Sequence, residues 1–245
     1  MAGHSHWKNI QHKKGAADAV RGRVWSKLSR AIMVASKSGG SDPVTNAKLR
    51  VAIEDARAVS MPKDNIERAV KKGAGELEGV HYEEISYEGF GPGGVAIMVD
   101  ILTDNRSRSN AEIRKIFEKG GGNMGAPGCV KHMFERKGTF HILARGLDED
   151  TLMSIALEAG ADDFQKAGDA FEITCDPAAF AQVKAALQKN NIIPASAEIT
   201  QLGKVPVDCD TETGQKVLKL LEALDEHDDV QKVYSNLNAT DAMMA

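Results

Sequence analysis

Between Lys137 and Leu202 the hydropathy pattern changes period in a fixed order, and that order restricts the fold more than any other feature. Alternation over residues 139–144 predicts a strand, and a 3.6-residue period over 149–159 predicts a helix. Two further strands are expected at 163–167 and 170–175, a second helix at 177–190 and a last strand at 197–202. The resulting β-α-β-β-α-β order is the ferredoxin-like arrangement.

Parts of another α/β unit flank it. Residues 84–90 and 95–102 read as strands joined by the glycine-rich loop 89–94, which leads into a strand and so reads as a hairpin turn, not a phosphate loop. A helix is expected at 110–119, opened by Ser109-Asn110-Ala111-Glu112 as a capping box. Beyond the ferredoxin-like segment come an extended stretch at 205–209, a helix at 211–224 and a strand at 230–236. The expected fold class is therefore α+β: a small N-terminal helical domain, then two ferredoxin-like α/β domains, the last inserted into the middle one. The expected boundaries are 1–75 for the helical domain, 80–136 plus 204–240 for the discontinuous middle domain, and 137–203 for the insert.

The N-terminal segment has helical spacing. Val20, Val24, Leu28, Ala31 and Ala35 fall on one face of a helix over 15–39 that Gly39-Gly40 stops. Asp42-Pro43 is expected to open a second helix with Leu49, Ile53 and Ala56 inward. Met61-Pro62 ends it and starts a third, with Ile66, Ala69 and Val70 inward, before a glycine-rich hinge at 73–79.

Charge is distributed unevenly. The chain carries a net −4, yet residues 1–75 hold 15 Lys/Arg against 6 Asp/Glu, while residues 141–245 hold 8 against 19. Within the first 40 residues Lys8, Lys13, Lys14, Arg21, Arg23, Lys27, Arg30 and Lys37 face one acid, Asp18. Long-stemmed cations without interleaved acids suit a phosphate backbone, where release of condensed counterions supplies affinity. Trp7 with His4, His6 and His12 adds stacking and hydrogen-bonding groups. Arg106 and Arg108, where a strand passes into a helix, extend the candidate contacts, because free N–H groups there favour an anion.

Other chemistries find less support. The His4, His6 and His12 group has no nearby Cys or carboxylate, and Asp225-Glu226-His227-Asp228-Asp229 is contiguous at a helix end, so it reads as a solvated cap, not a cation site. Lys131, His132, Arg136 and Lys137 read as a strand-end turn that extends a binding track at most. No nucleophile elbow, P-loop or zinc-protease signature occurs, and no catalytic residue, metal or cofactor is expected. Cys129, Cys175 and Cys209 have no paired spacing and fit a reducing compartment. Without a signal-like or membrane-spanning stretch, the expected location is cytoplasmic, with no membrane partner.

The chain also resembles the YebC/PmpR family. The resemblance rests on Met1-Ala2-Gly3-His4-Ser5 with Trp7, on Arg21-Gly22 and Lys27-Leu28, and most specifically on Met61-Pro62-Lys63-Asp64-Asn65-Ile66-Glu67-Arg68-Ala69. It continues through Tyr87-Glu88-Gly89-Phe90-Gly91-Pro92-Gly93-Gly94, Leu102-Thr103-Asp104-Asn105-Arg106-Ser107-Arg108 and Gly121-Gly122-Asn123-Met124-Gly125. Cys129, where serine is commoner, and Ala47, where proline is, depart from the pattern. The resemblance implies three domains, the last inserted into the second, and a DNA-binding transcriptional regulator. Relatives in translation, including a mitochondrial activator of cytochrome oxidase synthesis and bacterial factors for stalled ribosomes, imply the alternative of ribosomal or transfer RNA. On either reading the acidic C-terminal domains are left to face a protein partner.

Overall fold

The computed structural model describes residues 18–77, 81–144 and 146–244. Three helices come first: α1 (Asp18–Gly39), α2 (Ala47–Ala58) and α3 (Lys63–Ala74). They close around Ile32, Ala35, Leu49, Ala52, Ile53, Ala56, Met61, Ile66 and Ala69, with Trp25 and Leu28 packed against that cluster. The buried stripe of α1 thus runs through Trp25, Leu28, Ile32 and Ala35. Of the expected stripe's described side chains, Leu28 and Ala35 belong to the buried one, while Val24 and Ala31 are half-exposed. Trp25 and Ile32 carry more apolar surface than Val24 and Ala31, so turning the helix toward them removes more area from water.

Asn46, not Asp42, caps α2. Its side chain accepts from Leu49 N at 3.1 Å and donates to Ala35 O and Gly40 O, each at 2.8 Å. One buried amide therefore ends α1 and starts α2 together. Asp42 instead closes the preceding turn by accepting from Val44 N at 2.9 Å. Where α1 crosses α3, a Cβ on Gly73 would lie 2.3 Å from Met33 O, so only glycine permits that approach. Gly73 and Ala74 belong to α3, and the left-handed Gly75 at φ 82° caps it. The expected hinge ends at residues 78 and 79, outside the described ones.

Two antiparallel four-stranded sheets follow. In the first, β1 (Glu83–Phe90) and β2 (Ala96–Thr103) form the hairpin, α4 (Arg106–Lys119) leads to the short β3 (Asn123–Met124), and α7 (Thr211–Asp225) leads to β8 (Val230–Ser235). The strand order is β3-β1-β2-β8, so its last strand arrives after the second sheet is complete. One face packs Ile97, Val99 and Ile101 against Ile113 and Phe117 of α4 and Val217, Leu220 and Leu224 of α7. The opposite face buries Ala96, Met98 and Tyr234 against Val130 and Phe134. Central β2 is covered on both sides, as its apolar run from Ala96 to Val99 requires. The stretch expected at 205–209 contributes only an isolated bridge, Val207 to Leu237. A short C-terminal helix, α8 (Asp241–Met244), follows β8.

The second sheet runs β4 (Phe134–Leu143), α5 (Glu149–Glu158), β5 (Ala161–Ala167), β6 (Ala170–Cys175), α6 (Phe180–Lys189) and β7 (Ser196–Gly203). Its order β5-β6-β4-β7 is the ferredoxin-like one. Phe140, Ile142, Phe171 and Ile173 meet Leu152, Val183 and Leu187 from the two helices. No helix among the described residues is long and apolar enough to cross a membrane.

Candidate nucleic-acid interface

The cationic seam of α1 follows from its spacing. Arg23, Lys27 and Arg30 stand four and three residues apart, so they share one helix face. That face meets the turn between α7 and β8. Arg23 Nη1 lies 3.5 Å from Glu226 Oε1, Lys27 Nζ 3.5 Å from Asp225 Oδ1, and Arg30 Nη1 3.4 Å from Asp229 Oδ1. Lys27 and Arg30 also donate to the backbone carbonyls of Asp225 and Asp228. These carbonyls cluster around the C-terminal end of α7, where the helix dipole favours a cation. The Arg30 guanidinium stands 5.7 Å above the Tyr82 ring.

Two expectations are corrected here. The basic face of α1 does not lack compensating acids; they come from nearly 200 residues further along the chain. The acidic run 225–229 is not a solvated cap but the other half of that contact. Side chains of Lys27 and Arg30 are only 16% exposed, against 38% for Arg23. Burial lowers the Lys27 pKa, and the charge and hydrogen bond of Asp225 only partly offset it.

Asp229 is the hub of the contact, with its side chain 5% exposed. Arg108 Nη2 reaches its Oδ2 at 2.8 Å, and the Ser109 hydroxyl donates to the same oxygen at 2.7 Å. Burial alone would raise this carboxyl. Hydrogen bonds from Arg108 and Ser109, with the charges of Arg108 and Arg30, outweigh it and hold the pKa below the usual carboxylate value. Ser109 is therefore no capping residue. Asn105 caps α4 by accepting from Arg108 N at 3.1 Å, which starts the helix three residues before the expected cap and turns Ser109 inward. His227 completes the turn: its Nε2 lies 2.9 Å from Glu112 Oε2, and its Nδ1 accepts from Asp229 N at 3.2 Å.

The other expected contacts are dispersed. Lys8, Lys13 and Lys14 fall outside the described residues, as do Trp7 and the three histidines. Arg21 and Arg106 are exposed, whereas Lys37 at the far end of α1 lies 2.8 Å from His81 Nδ1. Arg108 pairs with Asp104 at 2.9 Å as well as with Asp229. The structure thus gathers Arg23, Lys27, Arg30 and Arg108 around Asp225–Asp229 and leaves Lys37 apart. Lys131 and His132 sit in a short 3-10 turn before β4, and Lys137 pairs with Asp162 at 2.7 Å.

Residue-by-residue reading missed Lys48, Arg57, Arg68, Lys71 and Lys72, which α2 and α3 expose. Their signal was present in the charge count of residues 1–75 but not in any single helix. Cys129, Cys175 and Cys209 are free thiols, and burial pushes Cys175 up to about 11.

Known proteins align with this arrangement over nearly its whole length. The family model described as the TACO1/YebC protein N-terminal domain matches residues 5–76, and that of the TACO1/YebC second and third domain matches residues 82–237. A probable transcriptional regulatory protein of Rhodopirellula baltica is 53% identical over 239 residues, 97% of each chain. One from Clostridium novyi is 54% identical over 237 residues, 96% of each chain. The crystal structure of a conserved hypothetical protein from Aquifex aeolicus superposes with a TM-score of 0.85 at 48% identity, covering 96% of this chain and 98% of that one. The chain belongs to the TACO1/YebC family, the YebC/PmpR family that its sequence motifs resemble.

Proposed function

We propose that the protein is a non-enzymatic regulator of gene expression that binds nucleic-acid backbones through its N-terminal helical unit. The observation that carries the reading is the charge left on that unit. With Arg23, Lys27 and Arg30 docked on the acidic turn, residues 1–75 still hold twelve Lys/Arg against six Asp/Glu. Its relatives' description as probable transcriptional regulatory proteins supports the same role. On this reading the protein works in the cytoplasm with its thiols reduced, and the acidic α/β domains, 80–136 with 204–240 and 137–203, face a protein partner.

A second reading, RNA on the ribosome, is favoured by one observation. Asn46, one of the two asparagines described in the helical unit, is used up in capping and joining helices, which leaves few amide side chains to read base edges. Lys and Arg directed at phosphates serve RNA as readily as DNA.

Crosslinking in cells followed by sequencing of the bound nucleic acid separates the two: promoter DNA supports the first, ribosomal or transfer RNA fragments the second. Binding itself is tested by salt titration of affinity for duplex DNA and single-stranded RNA. Replacing Lys13, Lys14, Arg68, Lys71 and Lys72 with Ala should flatten the logarithmic salt slope by about 0.7–0.9 for each phosphate that is no longer neutralised. An unchanged slope and affinity would remove the helical unit as the binding surface.

A further inference from the structure

We infer that the acidic turn Asp225–Asp229 is a built-in competitor for nucleic acid, which holds the cationic seam of α1 closed until a polyanion displaces it. The inference rests on the proposed binding function and adds a regulatory step to it. From Arg23 to Arg30 the seam rises about 10 Å along the helix, close to the axial rise of three phosphate-to-phosphate steps on one duplex strand. The turn meets it with the Glu226, Asp225 and Asp229 carboxylates and with two carbonyls, a run of oxygens that imitates a phosphate backbone.

Two further features make the contact reversible. The apolar cluster of the helical unit is formed entirely by residues 25–70, and none of the other apolar clusters includes a residue of that unit. Ionic groups therefore dominate the described contact between α1 and the turn, so a polyanion can exchange directly with its carboxylates. Salt screens the exposed Arg23–Glu226 pair more than the partly buried pairs of Lys27 and Arg30. Opening also leaves no buried charge alone. Asp229 keeps Arg108 at 2.8 Å and Ser109 at 2.7 Å when Arg30 departs, while Asp225, Glu226 and Asp228 pass into water.

The test uses the full chain with Asp225→Asn, Glu226→Gln and Asp228→Asn combined, and leaves Asp229 in place. Fluorescence anisotropy with short labelled duplex DNA and single-stranded RNA, at about 0.1 M salt, reads affinity. Small-angle X-ray scattering reads separation of the helical unit. The expected result is a larger radius of gyration and binding tighter by about tenfold, the factor for a closed state that outweighs the open one ten to one. Expansion without tighter binding overturns the competitor role while leaving nucleic-acid binding intact. Absence of binding in both wild type and variant overturns the inference together with the function it rests on. Should the triple variant fail to fold, Arg23→Gln with Lys27→Gln and Arg30→Gln supplies the complementary test. That variant should expand and bind more weakly, and expansion with wild-type affinity overturns the inference.

Discussion

Glu88 fastens the loop between β3 and β4, and replacing it with Gln should loosen that loop by a calculable amount. Its carboxylate is 6% exposed and accepts three backbone N–H bonds: Oε1 from Gly128 at 2.7 Å, and Oε2 from Val130 and Lys131 at 2.8 Å each. Burial would raise this acid, but the three amides and the Lys131 charge outweigh burial and hold it below its ordinary pKa. An amide in its place keeps one acceptor oxygen. With that oxygen facing Val130 and Lys131, its NH2 group confronts the Gly128 N–H, so one charge-assisted bond disappears and two weaken to neutral strength. Bonds to charged groups are worth about 1.5–3 kcal/mol and neutral ones about half as much. Because Gly128 and Lys131 are exposed and their amides can reach water, the expected cost is about 2–3 kcal/mol, a large part of the usual 5–15 kcal/mol total. Glu88→Ala, which also strands the fully buried Val130, should cost about 1 kcal/mol more. Urea unfolding gives the stability, and hydrogen exchange at Gly128, Val130 and Lys131 gives the location. A Gln variant within about 0.5 kcal/mol of wild type, with all three amides still protected, would refute the reasoning.

Asn46→Ala should lower stability by about 2–3 kcal/mol, since one buried side chain makes three bonds that join α1 to α2, and loss of the α1–α2 fold by circular dichroism would accompany it. An intact helical unit with unchanged melting would show that the cap is dispensable. Acid should destabilise the protein through Asp229 and Glu88, whose carboxyls both sit below their unfolded values. Their contribution is fully present above the unfolded carboxylate pKa of about 4 and is lost as pH falls through the lower folded values. Urea midpoints measured downward from about pH 6 should therefore fall most steeply below about pH 4, and less steeply in an Asp229→Asn, Glu88→Gln double variant.

Elements whose burial alternates regularly were readable from sequence. Helices α5 and α7 lie within a residue or two of their expected positions because each presents one apolar face to one core. Helix starts were less readable where two polar residues competed. Asp42 and Asn46 are both good capping residues, and tertiary contact decided for Asn46, whose amide also reaches Ala35 O and Gly40 O. Asn105 and Ser109 competed in the same way. A buried Asp229 needed the Ser109 hydroxyl, and the helix began ahead of it, at Arg106. No local pattern encodes either outcome, since the deciding partner is distant in sequence.

The candidate site shows the same limit more sharply. Composition places a cationic surface in residues 1–75, and the helical spacing of Arg23, Lys27 and Arg30 aligns three of its charges. Neither property records whether a surface meets solvent or another part of the chain. The acids that meet this one run from Asp225, the last residue of α7, to Asp229, just before β8, and β8 joins β2 only after the whole second sheet has been completed. The bipolar distribution of charge therefore has two consequences that sequence alone cannot tell apart. A basic head and an acidic tail can serve two different partners, or each can serve the other until a stronger polyanion arrives. The distances around Asp229 establish that the two ends meet, and under the proposed function the ionic character of that contact is what would let a nucleic acid compete for it.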